Sequence, residues 1–121
     1  MMTCAAESDL GHWIHQIDGP ACGIMMVEPD TMYDNYTNYL NYRDELRDNI
    51  QVAACIFEPS VDALEGNLIF NILIARIKYF RSPGAIPSTL EGMSKYHEKY
   101  YNAGGSADWE VTLAKYQHFC T

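Results

Sequence analysis

The chain has 121 residues and a net charge of −8, with 48% hydrophobic and 20% charged residues. That suits one folded domain with one core, is too short for two, and is not the composition of a disordered chain. The acidic balance disfavours nucleic acid, whose phosphates call for clustered Lys and Arg, gives no help in adhering to anionic surfaces, and no apolar run reaches the length of a membrane span.

Residues 1 to about 15 read as a helix, with Ala5, Ala6, Leu10, Trp13 and Ile14 on one side at helical spacing and Gly11 weakening the pattern. Because the chain starts almost inside this helix, either its first turn frays or the natural domain is longer. The same stretch has no basic region and no long apolar segment, so it does not read as a secretory signal. Asp18-Gly19-Pro20 signals a turn, and residues 18–23 read as a loop. Glu28-Pro29-Asp30-Thr31 is a helix start, with Pro suited to the first turn and acidic groups at the positive dipole end. Met32, Tyr36, Tyr39 and Leu40 follow at helical intervals up to about Tyr42. Arg43 to Phe57 reads as a further helix with an apolar stripe of Leu46, Ile50, Ala53, Ala54 and Phe57, interrupted by Glu58-Pro59-Ser60. Ser60 to Arg81 is apolar nearly all round and is expected at the centre of a small helical domain. Pro83, Gly84 and Pro87 break the chain. Ser88 or Thr89 caps the next helix, which runs to about Asn102, and Ser106 or Asp108 caps a last one ending near Phe119. With no convincing strand, the expected class is all-α, with about six helices around the 60–81 segment.

The cysteines, Cys4, Cys22, Cys55 and Cys120, form no C-x-x-C pair. Two disulfides are arithmetically possible, but without a signal peptide buried free thiols are expected. The histidines, His12, His15, His97 and His118, form no H-E-x-x-H or comparable cluster, so no zinc site and no cofactor are expected. No acid stands at a useful spacing from any of them, and they read as surface or satisfied core residues. The nine tyrosines suit helix–helix contacts, or polar ligands such as sugars. Arg76, inside the apolar 60–81 segment, is a candidate partner for a buried acid, Glu7 among them.

Glu7 stands in an apolar pattern, and a carboxyl among apolar neighbours tends to hold its proton, as a general acid must near neutral pH. Taken alone it reads rather as a solvated helix residue, since most helix glutamates are surface groups.

Three pieces give this glutamate a context: Glu7-Ser8, then Gly23-Ile24-Met25-Met26-Val27-Glu28-Pro29-Asp30-Thr31, then Tyr101-Asn102-Ala103-Gly104. In this order and at these separations they resemble the lysozyme-like lytic transglycosylases of the soluble type. The nearer likeness is to small phage-encoded members, whose early segment reads much like ESDLGHWIHQIDGPACG here; NLIFNILIARIKYFR and KYHEKYYNAGG also look like that subset. No piece is specific alone, and the ordered set is. The resemblance implies a single lysozyme-like catalytic domain over residues 1–121 that cleaves the MurNAc–GlcNAc β-1,4 bond of peptidoglycan. It implies a phage protein, present in the virion or the infected host cytoplasm and acting in the host periplasm.

By the same resemblance Glu7 protonates the glycosidic oxygen and then acts as base, and the Tyr101 hydroxyl approaches and positions it. A single carboxyl suffices when the nucleophile is the substrate's own C6 hydroxyl; a hydrolase would activate water with help from a second acid. Ser8 orients Glu7 or is an ordinary surface serine. Gly23 lets the backbone approach a ligand or simply turns the chain. Glu28 supports the cleft floor or favours a helix start, and Asn102 contacts sugar or ends a helix. Met25 and Met26 suit core packing. Met26 stands where the family has a cleft glutamine, and either packs on a sugar face or marks a changed substrate or lost activity. Two alternatives therefore stay open: a hydrolytic muramidase, and a virion structural or glycan-binding protein with the same fold.

Overall fold

Four helix starts are fixed by a side-chain oxygen: Ser60 accepts from the Ala63 N–H, Asn67 from Phe70, Thr89 from Gly92 and Asp108 from Glu110. Each satisfies a donor that helix geometry leaves without a partner. The computed structural model describes residues 1–103, 105 and 108–121. Among these residues there are seven α-helices: α1 (Met2–Ser8), α2 (Pro29–Asn38), α3 (Asp44–Ala54), α4 (Val61–Gly66), α5 (Leu68–Phe80), α6 (Leu90–Tyr100) and α7 (Trp109–Cys120). A 3-10 turn, Leu40–Tyr42, joins α2 to α3. Beyond the helices, the described residues hold only the isolated bridges His15–Cys22 and Cys22–Val27, so the class is all-α. No helix among them is long and apolar enough to cross a membrane. Gly104, the last residue of the Tyr101-Asn102-Ala103-Gly104 motif, and Ser106, the alternative cap, lie outside the described residues.

Two expected helices are cut short. The first ends at Ser8 rather than near residue 15, because Asp9, Leu10 and Gly11 all turn left-handed (φ 51°, 56° and 86°). Leu10 adopts this conformation against the usual steric cost. The compensating partner is Ser8, whose hydroxyl accepts the Gly11 N–H (2.8 Å) and donates to the Ile24 carbonyl (2.6 Å). The 60–81 segment is two helices, broken at Asn67 (φ −103°, ψ 103°). The Asn67 carboxamide caps α5 and also donates to the Ala54 carbonyl at 2.7 Å, tying the end of α3 to the break.

α5 buries Phe70, Asn71, Ile74, Ala75 and Ile77 against α2, α3 and α4. Its other face is open: Leu68, Ile69, Ile72 and Phe80 are exposed, so the helix lies against the core rather than inside it. Ala53 and Phe57, expected on the α3 stripe, are also exposed; Ile50 and Ala54 carry that contact. α1 packs on α6 and α7 and adds Cys4 to the core of Met32, Leu40, Ile50, Leu64, Phe70 and Ile74.

The irregular segment between α1 and α2 folds back as a narrow double hairpin. Cys22 and Val27 exchange both backbone hydrogen bonds at 3.0 Å, and Gly23 N–H reaches the Ile14 carbonyl at 2.7 Å. Buried backbone groups left over in this loop need partners, and Asn71 supplies them. Its amide donates to the carbonyls of Cys22 (3.0 Å) and Leu64 (2.9 Å), and its oxygen accepts from Met25 N–H (2.9 Å). Gly23 makes the approach possible: it turns with φ 75°, and a Cβ there would overlap the Asn71 carboxamide.

Gly23→Ala is therefore expected to lower the unfolding free energy by about 2–4 kcal/mol, from the left-handed backbone and the overlap together. Gly66→Ala, at a helix end with open space around it, should be neutral or stabilising by up to about 1 kcal/mol. Urea denaturation of the two variants measures the contrast.

Candidate functional site

Because α1 stops at Ser8, Glu7 occupies its last turn, with its side chain 21% exposed. The carboxyl lines a cleft of about 730 Å³ together with Met26, Glu28, Lys78, Tyr101 and Asn102. α1, α5, the end of α6 and the loop before α2 all contribute to it.

The closest partner of Glu7 is His97, near the end of α6. Its Nε2 lies 2.9 Å from Glu7 Oε1, and the residue is 1% exposed. The approach is off the ring N–H direction, so this is a close polar contact rather than an aligned hydrogen bond. The other ring nitrogen, Nδ1, meets the Tyr79 hydroxyl at 3.0 Å, and that hydroxyl lies 2.7 Å from Thr3 Oγ1. A chain of polar contacts thus runs Thr3–Tyr79–His97–Glu7 across α1, α5 and α6.

Tyr101 is buried and faces a different partner from the one the resemblance implies. Its hydroxyl donates to the Met25 carbonyl at 2.7 Å rather than to Glu7. Its ring lies flat against His97 (centroids 5.2 Å apart, 22° between planes) and against Tyr79. Lys78 sits over the same ring at 4.4 Å and donates to the Tyr101 carbonyl at 2.7 Å, which fixes an ammonium in the cleft wall. Burial pushes the Lys78 pKa down, and the nearby carboxylates Glu7 and Glu28 pull it back up. Burial holds the Tyr101 hydroxyl well above its ordinary range, and the Glu7 charge adds to this. Tyr79 is raised for the same leading reason.

Glu7, Met26, Glu28, Tyr101 and Asn102 therefore share one cleft. Ser8 and Gly23 do not line it. Ser8 is fully buried and pins the end of α1 to Ile24, so it is neither a surface serine nor able to touch a ligand. Gly23 gives its space to Asn71 instead of a ligand. Met25 belongs to the core, whereas Met26, at φ 45°, turns into the cleft. Asn102 continues the α6 end through N–H to the His97 carbonyl (3.0 Å) and also lines the cleft.

Four features differ from the sequence expectation or were missed by it. Arg76 is exposed and lies over Phe80, while Lys78, two residues on, is the cation in the cleft. His97 has an acidic partner in Glu7, and His15 has one in Glu65 at 2.9 Å. Asn71 was overlooked, although a lone amide inside an apolar helix is a signal for a buried polar hub.

Tyr36, Tyr79 and Tyr101 all have hydroxyls raised by burial. A folded-state pKa above the unfolded value of about 10 gives stability that is complete below pH ~10 and lost as pH rises further. These three tyrosines should ionise only together with loss of helical circular dichroism, in a titration that follows tyrosinate absorbance and ellipticity in one sample.

No family model, no curated protein and no solved structure matches this chain.

Proposed function

We propose that this chain cleaves the peptidoglycan glycan strand at the MurNAc–GlcNAc β-1,4 bond as a lytic transglycosylase, on a lysozyme-like fold, with Glu7 as its one catalytic carboxyl. The observation that carries this reading is the shared cleft: Glu7, Met26, Glu28, Tyr101 and Asn102 come from three distant parts of the chain and line one space. The same three parts carry the resemblance to the phage-encoded enzymes. The setting that goes with it is a phage protein meeting the host cell wall.

In the first step the protonated Glu7 carboxyl gives its proton to the glycosidic oxygen, and the bond from that oxygen to the muramic C1 breaks. The resulting carboxylate takes the proton of the muramic C6 hydroxyl as its oxygen bonds to C1, which gives a 1,6-anhydro sugar and restores the acid. Lys78, fixed by the Tyr101 carbonyl, supplies positive charge on the same wall while Glu7 is ionised. Glu28, which lines the same cleft, favours a second reading, in which it helps to activate water and the product is a reducing end.

Glu7→Gln should lower turnover of purified peptidoglycan, and lysis of permeabilised Gram-negative cells, by about 100-fold or more. Mass spectrometry of the soluble products separates the two chemistries: anhydro-muropeptides support the transglycosylase, reducing ends the hydrolase. Equal activity of wild type and Glu7→Gln removes Glu7 as the catalyst. Inactivity of both, with glycan binding retained, leaves a binding protein.

A further inference from the structure

Seven of the eight lysines and arginines are satisfied where they stand. Arg47, Arg81, Lys95 and Lys115 pair with carboxylates. Arg43, Arg76 and Lys99 form no ion pair, but they are exposed to water and lie over aromatic rings. Lys78 is the exception: half-buried, in the cleft wall, and without an ion pair among the described residues. An ammonium has three N–H donors. One goes to the Tyr101 carbonyl at 2.7 Å, and no other oxygen of the described residues accepts from it. The Tyr101 ring holds the charge in place at 4.4 Å. A half-buried charge with donors to spare is costly to keep, and this one borders the cleft.

We infer that Lys78 is a specificity residue: it binds a carboxylate carried by the muramyl unit of the ligand, and so selects acidic glycan strands over neutral ones such as chitin. The inference rests on the reading of the cleft as a peptidoglycan site and deepens it. A carboxylate only accepts, which complements an ammonium with free donors, and the resulting charge-assisted bond is stronger than one between neutral groups. The muramyl sugar differs from its neighbour in the strand by a lactyl ether that ends in a carboxyl. In a strand stripped of peptide that carboxyl is free and ionised. In a strand that keeps its stems it is an amide, and the carboxylates stand on the peptide. Both sources offer Lys78 the same chemistry.

The rest of the lining makes this one ammonium decisive. Glu7 and Glu28 both line the cleft and both act on Lys78 through space, without pairing with it. His15 is engaged by Glu65. Lys78 is the one Lys or Arg among the described lining residues. Without it the cleft of a chain with net charge −8 would meet an acidic strand with carboxylates, and like charges facing each other reject a partner. A neutral strand meets no such repulsion, so its binding does not depend on the Lys78 charge.

The test is titration calorimetry on the full chain carrying Glu7→Gln, so that no strand is cut during the measurement. The probes are a peptide-free GlcNAc–MurNAc oligosaccharide, the same oligosaccharide with its stem peptides, and a chitooligosaccharide of equal length. Lys78→Gln keeps an N–H for the Tyr101 carbonyl and removes the charge. At least one muramyl probe should bind about tenfold or more tighter than the chitooligosaccharide, and Lys78→Gln should remove that advantage while leaving the chitooligosaccharide affinity within about twofold. An advantage on the peptide-free probe assigns the lactyl carboxylate; an advantage with stems alone assigns the peptide carboxylate. Esterifying the carboxylates of the muramyl probes tests the same contact with Lys78 in place, and should cost them their advantage whether or not the Lys78→Gln chain folds. An advantage that survives either change, an equal loss on all probes in Lys78→Gln, or no binding of any probe overturns the inference. Cleavage is scored apart, on the chain with Glu7 intact. A charge-dependent preference without cleavage removes the enzyme and keeps Lys78 as the carboxylate reader, and cleavage without charge dependence does the reverse.

Discussion

The structure depends on one side-chain amide. Asn71 is the fourth residue of α5, where an amide gains nothing from helix propensity and would be costly to bury alone. It is stable there because all its bonds are made, to Cys22, Met25 and Leu64. Those bonds hold the irregular segment before α2 against the helix, with Gly23 leaving the room. From that anchoring follow the position of the Met25 carbonyl, which receives the Tyr101 hydroxyl, and the turn that sends Met25 inward and Met26 outward. The cleft floor thus inherits its geometry from a contact that never touches the cleft.

Against a net charge of −8, the cleft holds a fixed local cation. Lys78 is held by a carbonyl and an aromatic face rather than by an ion pair, so its charge remains available to the carboxylates beside it. Glu7 therefore sits between a cation and a buried imidazole, an environment more polar than its apolar sequence neighbours suggest.

Local signals read well from the sequence. Pro29 at a helix start, the caps at Thr89 and Asp108, the Asp18-Gly19-Pro20 turn and the Met32, Tyr36 and Leu40 spacing all depend on a few adjacent residues. The misses share one cause, a partner far along the chain. Ser8 ends α1 because of Ile24, and Asn67 breaks the apolar run because it reaches Ala54; neither partner is visible in a window around the residue. An apolar pattern that continues on both sides of Gly66-Asn67 also hides the break. In a helix apolar nearly all round, periodicity does not say which of Arg76 and Lys78 faces the cleft. The pairing of His97 with Glu7 joins opposite ends of the sequence, where no spacing rule applies. The cleft-lining set of Glu7, Met26, Glu28, Tyr101 and Asn102 was reached through the ordered motifs, while Ser8 and Gly23, drawn from the same motifs, serve the scaffold.

The two sides of the cleft differ in how firmly they are held. Residues 12–18 are all exposed, and they are tied mainly by main-chain bonds such as Trp13 to Ser8 and Gln16 to Ala21. The floor around Cys22 and Met25 is buried and bonded to α5. Amide exchange should therefore divide the site into a fast rim and a slow base, since local opening needs little loss of buried area at the rim. Trp13, His15 and Ile17 line the cleft from that rim. A long ligand that grips them would quiet the rim's exchange while leaving the base unchanged, so occupancy of this cleft registers as ordering of one edge.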